Sequence, residues 1–99
     1  MTVGDTNRVR IVSIHADFIL RFRFGMPEAV ERWRPLARDG ADLPVALRTM
    51  QPALESMGPG ETADFLYVPT KPGRMLLEVW IGGGGPRVAL PVVVSAKKP

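Results

Sequence analysis

Apolar and polar residues alternate along most of this chain with a period of two, the spacing of side chains on opposite faces of a β-strand. The alternation is clearest over residues 18–24. One face of that segment carries Phe18, Leu20, Phe22 and Phe24, and the other carries Ile19, Arg21 and Arg23. No segment keeps a helical period of about 3.6 residues over several turns, so the pattern predicts an all-β protein.

The same pattern predicts about seven strands, over residues 8–14, 18–24, 33–38, 50–57, 61–68, 74–81 and 87–95. Outside 18–24, the inward positions are predicted to be Val9, Ile11, Ala63, Phe65, Tyr67, Met75, Leu77, Val79, Ile81, Val88, Leu90, Val92 and Val94. Pro35, Pro52 and Pro91 fall within three of these strands. Because proline lacks an N–H group, each is expected at a sheet edge or a bulge. Residues 28–32 are predicted as a single helical turn, and residues 43–49 as a loop or a short strand.

Two turn signals punctuate the strands. Asp39-Gly40 and Pro59-Gly60 each stand between apolar segments. Glycine adopts positive φ without steric cost, and proline fixes φ at the first corner of a turn. Both pairs are therefore predicted as structural turns in hairpins or β-arches, with Asp64 close behind the second. Short strands with turns at this spacing are typical of a β-sandwich or a β-barrel.

The composition narrows the class of function. The 99 residues include 13 basic and 10 acidic side chains, for a net charge of +3, with one histidine and no cysteine. Without cysteine the chain can form no disulfide, zinc–thiolate or blue-copper site. It has no apolar run of about 20 residues that would span a membrane, and no signal peptide is expected. We expect one domain over residues 7–95, with a leader or appended residues at 1–6 and a tail at 96–99.

Few residues are candidates for chemistry. His15 beside Asp17 would act as a ligand or general base only with an orienting partner, and the sequence shows none, so a structural turn position is favoured. Carboxylates near the turns could hold a hard cation, but such side chains more often cap backbone N–H groups. These carboxylates are Asp39, Asp42, Glu61 and Asp64. As a hypothesis, Asp64 pairs with Arg8 or Arg10 across neighbouring strands.

Two sets of outward residues are candidates for binding partners. Leu76 and Trp80 fall on the face of their strand that meets solvent in an isolated sandwich, and Trp33 is grouped with them. These three residues are a candidate interdomain interface, and the alternative is a loop that folds over them. Arginines at 8, 10, 21 and 23 share outward faces, whereas the aromatic rings near them point inward. Since those rings could not stack on bases, no nucleic-acid partner is expected.

Several motifs follow one another in a recognisable order between residues 7 and 81. They are Arg8-Val9-Arg10-Ile11-Val12, Phe18, Arg38-Asp39-Gly40-Ala41-Asp42-Leu43-Pro44, Pro59-Gly60-Glu61-Thr62-Ala63-Asp64-Phe65 and Pro72-Gly73. In this order and approximate spacing they resemble the second, or middle, cupredoxin domain of the multicopper oxidases, the family of the laccases. Ser13 stands where that family commonly has asparagine, and Thr62-Ala63 replaces its usual arginine–aromatic pair.

The resemblance implies a Greek-key, cupredoxin-like β-sandwich with no copper of its own. The family places its copper ligands in the first and last domains, on His-x-His and His-Cys-His motifs that this chain lacks. The chain would then be a non-catalytic structural and interaction module, with neighbouring cupredoxin domains of the same polypeptide or of another protein as its partners.

Catalysis would belong to a parent enzyme under the same resemblance. That parent would be a copper-dependent oxidoreductase, periplasmic or secreted, that couples substrate oxidation to the reduction of oxygen to water. Two rival hypotheses remain. One is a free-standing basic β-barrel that binds RNA or a protein partner. The other is a small enzyme built around His15 and the turn carboxylates.

Overall fold

Strands account for nearly all the regular structure in the computed structural model, which describes residues 1–14, 19–81 and 86–97. The strands are β1 Asn7–Val12, β2 Leu20–Met26, β3 Ala29–Val30, β4 Arg32–Arg38, β5 Ala41–Asp42, β6 Gln51–Pro52, β7 Leu54–Met57, β8 Thr62–Tyr67, β9 Gly73–Ile81 and β10 Pro86–Val94. One 3₁₀ helix, Val45–Leu47, follows β5. Seven of these strands have four residues or more, in agreement with the predicted number.

The strands form two antiparallel sheets that pack as a sandwich. Sheet I has the order β1-β8-β4-β5, and β6 pairs with β4; sheet II has the order β10-β9-β2-β3, and β7 pairs with β2. The predicted all-β sandwich is confirmed. The Greek-key path and the cupredoxin family stay predictions.

The inward faces of both sheets meet in an aromatic core. The predicted inward residues Phe22, Phe24, Phe65 and Tyr67 are buried, as period-two alternation requires. The Phe24 and Tyr67 rings meet edge to face, with centroids 4.9 Å apart. On the edge strand β10 the predicted inward face is only partly covered. Val94 is buried and Val92 packs on the core, whereas Val88 and Leu90 are about half exposed, at 48% and 52%.

Trp33 belongs to this core, which corrects its assignment to a surface interface. Its side chain is 1% exposed and stacks on Phe65 with ring centroids 4.2 Å apart. Phe24 stacks on it at 6.1 Å. Residues before and after Trp33 point outward, so its parity in β4 turns the indole towards sheet II. Trp33 is therefore unavailable to a partner.

Each proline within a predicted strand lies where a missing N–H group is tolerated. Pro35 lies where the register between β4 and β8 shifts. On the opposite edge of β4, Pro35 lies between the residues that pair with β6 and those that pair with β5. Pro52 ends β6, after which Ala53 carries the chain from sheet I to β7 in sheet II. Pro91 lies in β10, an edge strand of sheet II. These positions confirm the expected edges and bulge.

One predicted local structure differs from the fold. Residues 28–32 form no helical turn, because the chain reverses tightly and β3 pairs back on the end of β2, with Met26 opposite Ala29. A single helical turn gains too few hydrogen bonds to compete with that sheet pairing. Of the loop or short strand predicted for residues 43–49, the structure has the loop, with the exposed 3₁₀ helix inside it.

The two predicted turns are confirmed. Asp39 and Gly40 have φ of 50° and 79° and join β4 to β5, the geometry of a two-residue type I′ hairpin. Gly60 has φ of 74° after Pro59, and this turn carries the chain from β7 in sheet II to β8 in sheet I. The second turn is thus a β-arch between the layers.

The first residues of the chain pack on the sandwich. The Met1 ammonium group donates a hydrogen bond to the Val93 carbonyl at 3.0 Å, and Val3 N–H donates to Ser95. Gly4 N–H donates to the Pro69 carbonyl. Residues 1–3, part of the segment 1–6 that was predicted as a leader or appended residues, therefore extend the edge of sheet II next to the end of β10.

Candidate functional site

The carboxylates near the turns do not converge on one point. Asp39 Oδ1 accepts the Thr62 N–H at 2.9 Å, and Glu61 Oε1 accepts the Gly58 N–H at 2.9 Å. Asp42 is exposed on β5. Among the described residues, no three histidine, cysteine, aspartate or glutamate side chains are grouped to hold a metal ion. The capping role favoured from the sequence is what Asp39 and Glu61 perform.

Asp64 pairs with both arginines named in the hypothesis. Arg8 Nε donates to its Oδ2 at 2.7 Å, and Arg10 donates through Nε and NH2 at 3.0 Å each. These guanidinium groups lie over the carboxylate, so that Asp64 is 3% exposed while the arginine side chains are more than half exposed. The pairing arises because Arg10 stands directly opposite Asp64 in the β1–β8 register.

The arginines change the acidity of Asp64. Hydrogen bonds and charge from Arg10, and then from Arg8, hold the pKa of the Asp64 carboxyl below its usual value, although burial opposes them. A carboxyl group with a lowered folded-state pKa stabilises the fold above its unfolded pKa. That contribution is lost as the pH falls through the folded value.

Replacing Asp64 by asparagine is expected to lower the free energy of unfolding by about 1–2 kcal/mol at neutral pH, because the charge-assisted hydrogen bonds weaken. The difference between the two proteins should shrink as the pH falls below about 4, because the Asp64 carboxyl of the unfolded chain is then protonated while that of the folded chain still resists protonation. Urea denaturation of both proteins at neutral and acid pH measures this. A difference under about 0.5 kcal/mol at neutral pH would make the pairing an ordinary surface contact.

A second ionic cluster joins the two sheets and was not predicted. Arg38, at the end of β4, donates to Glu61 at 3.1 Å and to Glu55 of β7 at 3.4 Å. Gln51 also donates to Glu55 at 2.8 Å. The pairing of β4 with β8 brings Glu61 to Arg38, whereas Glu55, 17 residues from Arg38, reaches it from sheet II. The cluster links β4 of sheet I to β7 of sheet II at this end of the sandwich.

The hydrogen bond of the buried Tyr67 hydroxyl was also not predicted. The Tyr67 hydroxyl donates to Glu31 Oε1 at 2.5 Å and lies 3.3 Å from Met75 Sδ. Burial, followed by the hydrogen bond and charge of Glu31, raises the pKa of Tyr67 above its usual value. The phenol therefore stays protonated at neutral pH and cannot act as a base. No sequence signal links Tyr67 to Glu31, because they meet only when β8 packs beside the start of β4.

The outer face of sheet II is largely apolar. Leu76 lies opposite Pro91, Glu78 opposite Ala89 and Arg74 opposite Val93 in the β9–β10 register, so these residues share one face with Trp80. Leu76 and Trp80 are half-buried, whereas Ala89, Pro91 and Val93 are exposed. We call Leu76, Trp80, Ala89, Pro91 and Val93 the docking face. The structure thus brings together two of the three predicted interface residues.

The charges on this side of sheet II are largely balanced at its centre. Arg23 pairs with Glu78 at 3.1 Å between Leu76 and Trp80, and both side chains are less than a fifth exposed. Arg21 stands opposite Trp80, and Arg74 lies at the other end of β9; both are exposed. The surface is therefore an apolar strip with a neutral ion pair inside it and a cation near each end.

The residues of this chain could not form the blue-copper centre of a cupredoxin. A blue-copper centre uses two histidines and a cysteine thiolate, whereas the chain has one histidine and no cysteine. That histidine, His15, lies outside the described residues, as do Asp17 and Phe18. No step involving copper is assigned to this chain.

Comparison with known proteins gives no relative from which a function could be transferred. No protein-family model, no curated protein sequence and no solved structure matches the chain. In the part of the chain that the structure describes, no helix has the length and apolar character needed to cross a membrane.

Proposed function

We propose that this chain is a non-catalytic interaction module, and that it binds another folded protein domain through the docking face. The observation that carries the proposal is the position of Trp80 and Leu76 on the outer face of sheet II, beside three exposed apolar residues of β10. An antiparallel sheet with one face in water normally carries polar residues on that face. A continuous apolar strip there is typical of a surface that a partner covers.

The chemistry of the docking face supports a protein partner. Interface centres are depleted in free charge and enriched in aromatic residues. The Arg23–Glu78 pair leaves the centre of the strip neutral, and Trp80 supplies a large ring next to that pair. Arg21 and Arg74 lie near the ends of the strip, where acidic groups of the partner could meet them at the rim.

Binding by the face is favoured over addition of a strand to the edge of sheet II. The backbone groups of Val93 and Ser95 point away from β9, since they bond to Met1 and Val3. Because the backbone groups of alternate residues in a strand point to the same edge, the nitrogen of Pro91 also lies on the edge that faces away from β9. Proline offers no N–H group there. The first residues and Pro91 together block strand pairing over this part of β10.

Three of the four carboxylates that could have served a small enzyme already have structural partners. Asp64 is held by two arginines, and Glu61 and Asp39 bond to turn residues. This supports a module over an enzyme.

Under the family resemblance, the partner would be a copper-holding cupredoxin domain of an oxidase that reduces oxygen to water, and this chain would be its middle domain. That finer proposal rests on the order of the motifs from Arg8 to Gly73. It predicts that the domain bound at the docking face carries His-x-His and His-Cys-His segments.

Photo-cross-linking in the cells that make the protein tests the proposal. A benzophenone amino acid placed at position 80 should give one discrete adduct with a protein domain, whether in the same polypeptide or in another chain. The control places the same group at position 45, because Val45 is 82% exposed and lies in the 3₁₀ helix, which belongs to neither sheet. Peptide mass mapping of the adduct then shows whether the bound domain has the copper motifs.

Adding Ala89→Arg to the position-80 variant provides the specificity test. Ala89 is small and exposed, so the longer charged side chain leaves the core intact while it obstructs the docking face. The adduct should fall several-fold.

A further inference from the structure

The outer face of sheet I has a different character from the docking face. Four arginines project from it in two rows, one on β1 and one on β4. Their outward direction follows from the burial of Ile11 and Trp33, which have the opposite parity in the same strands. Strand β8 runs between the rows, with half-buried Leu66 opposite both Arg8 and Arg34. The arginines are Arg8, Arg10, Arg32 and Arg34.

We propose that this arginine trough, formed by those four arginines with Leu66 on its floor, binds an extended acidic segment of a partner protein. Alternate residues along a strand are about 6.7 Å apart, and an extended peptide repeats its side chains at the same spacing. Carboxylates at alternate positions of such a peptide would therefore match successive guanidinium groups along either row. The two rows lie about 10 Å apart, since one strand separates them, which leaves room for a single peptide between them.

Two of the arginines are already oriented by Asp64. Arg8 and Arg10 bind its carboxylate through Nε and NH2, so the NH1 group of each is not used in this contact. Holding these long side chains in place lowers the entropy that a ligand must remove. Arg34 is exposed and makes no ion pair within the described residues, and Arg32 is bonded only to the Met50 carbonyl there.

An open depression of about 230 Å³ continues the trough at the end of β1. It is lined by Arg10, Val12, Gly40, Thr62 and Asp64. Val12 is 49% exposed and supplies an apolar wall. This end would suit an acidic segment that also carries an apolar side chain.

The trough favours an acidic peptide over a nucleic acid. The trough contains four guanidinium groups and one central carboxylate, that of Asp64, and Asp42 lies at the far edge on β5. Because the net positive charge is small, the trough could neutralise only a few phosphates. The aromatic residues of β4 and β8, which are Trp33, Phe65 and Tyr67, all point into the core. No ring of these strands is available to stack on a base.

Fluorescence anisotropy with a labelled ten-residue peptide of alternating Glu and Thr tests the proposal on the whole chain. We expect a Kd on the order of 100 µM at low salt, weakening as salt screens the pairs. The same peptide with Gln in place of Glu should not bind. Arg34→Gln should weaken binding by about 2–5-fold, the usual range for an exposed ion pair. Arg74→Gln removes the same charge from sheet II, and the fold-change in Kd that it causes should be less than half of that caused by Arg34→Gln.

Three results would overturn the proposal. They are equal binding of the Gln peptide, an equal effect of Arg34→Gln and Arg74→Gln, and tighter binding of a uridine oligonucleotide than of the Glu peptide. The third would instead support the nucleic-acid hypothesis. Arg34 lies on the opposite sheet from the docking face, so failure here leaves the cross-linking result from position 80 unaffected.

Discussion

Replacing Gly25 by alanine is expected to lower the free energy of unfolding by more than about 3 kcal/mol. Gly25 has φ of 152°, a conformation that residues with a Cβ rarely adopt. It is also the point at which β3 folds back over β2. A Cβ atom there would lie 2.5 Å from the Ala29 carbonyl oxygen, 2.7 Å from Glu31 N and 2.9 Å from Val30 Cα.

All three of those atoms belong to the backbone, so no side-chain rotation can relieve the contact. The hairpin would have to open, and Glu31 N–H would lose its hydrogen bond to Phe24. Small domains are stable by about 5–15 kcal/mol, so a substantial unfolded fraction is expected.

The matched control is Gly40→Ala. Gly40 also has positive φ, at 79°, but a Cβ there meets no atom within 4 Å. Its cost should be limited to the left-handed conformation, about 1–2 kcal/mol. Urea denaturation followed by circular dichroism gives both values. If Gly25→Ala costs no more than Gly40→Ala, the close approach of β3 to β2 is wrong.

Replacing Trp33 by alanine is expected to cost about 3–5 kcal/mol, because a large buried ring leaves a cavity between the sheets. The indole stacks on Phe65 and Phe24 at the centre of the sandwich. Its buried Nε1–H finds no hydrogen-bond partner within the described residues. Trp33→Phe, which removes that polar group and keeps a ring, should therefore cost less than the alanine substitution.

Trp80→Ala is the control in the same assay. Trp80 is half-buried on the docking face, and its loss should cost about 1 kcal/mol or less in the isolated chain. The two tryptophans would thus separate into one that holds the fold and one that is available to a partner. Equal costs would contradict the assignment of Trp33 to the core and of Trp80 to the surface.

Period-two alternation predicted most of the core because it is a local property of a strand. Phe22, Phe24, Phe65 and Tyr67 all lie inward as expected. The turns at Asp39-Gly40 and Pro59-Gly60 could also be predicted, since positive φ at glycine and the fixed φ of proline are properties of those residues alone.

Features that depend on how the sheets meet could not be predicted in this way. Trp33 was predicted at the surface, and its stacking on Phe24 and Phe65 is set only when the two sheets pack together. The β3 hairpin is set by its pairing with β2. Arg38 reaches Glu55 only because the chain passes from one sheet to the other.

The residues of the candidate sites likewise divide into those that could be predicted from the sequence and those that could not. The outward position of Leu76 and Trp80 followed from their parity in β9, and Asp64 was expected to meet Arg8 or Arg10. The second row of arginines on β4 was not predicted, because the register of β4 on β8 is needed to place Arg34 beside Leu66. Only the assembled sheet turns scattered arginines into a trough.

The central claim is that the docking face of sheet II binds a protein domain, and the yield of cross-linked product from position 80 tests it most directly. The account predicts one discrete adduct from position 80, none in common with position 45, and a several-fold loss of that adduct with Ala89→Arg. The same adducts from both positions, or an adduct from position 80 that Ala89→Arg leaves unchanged, would contradict it.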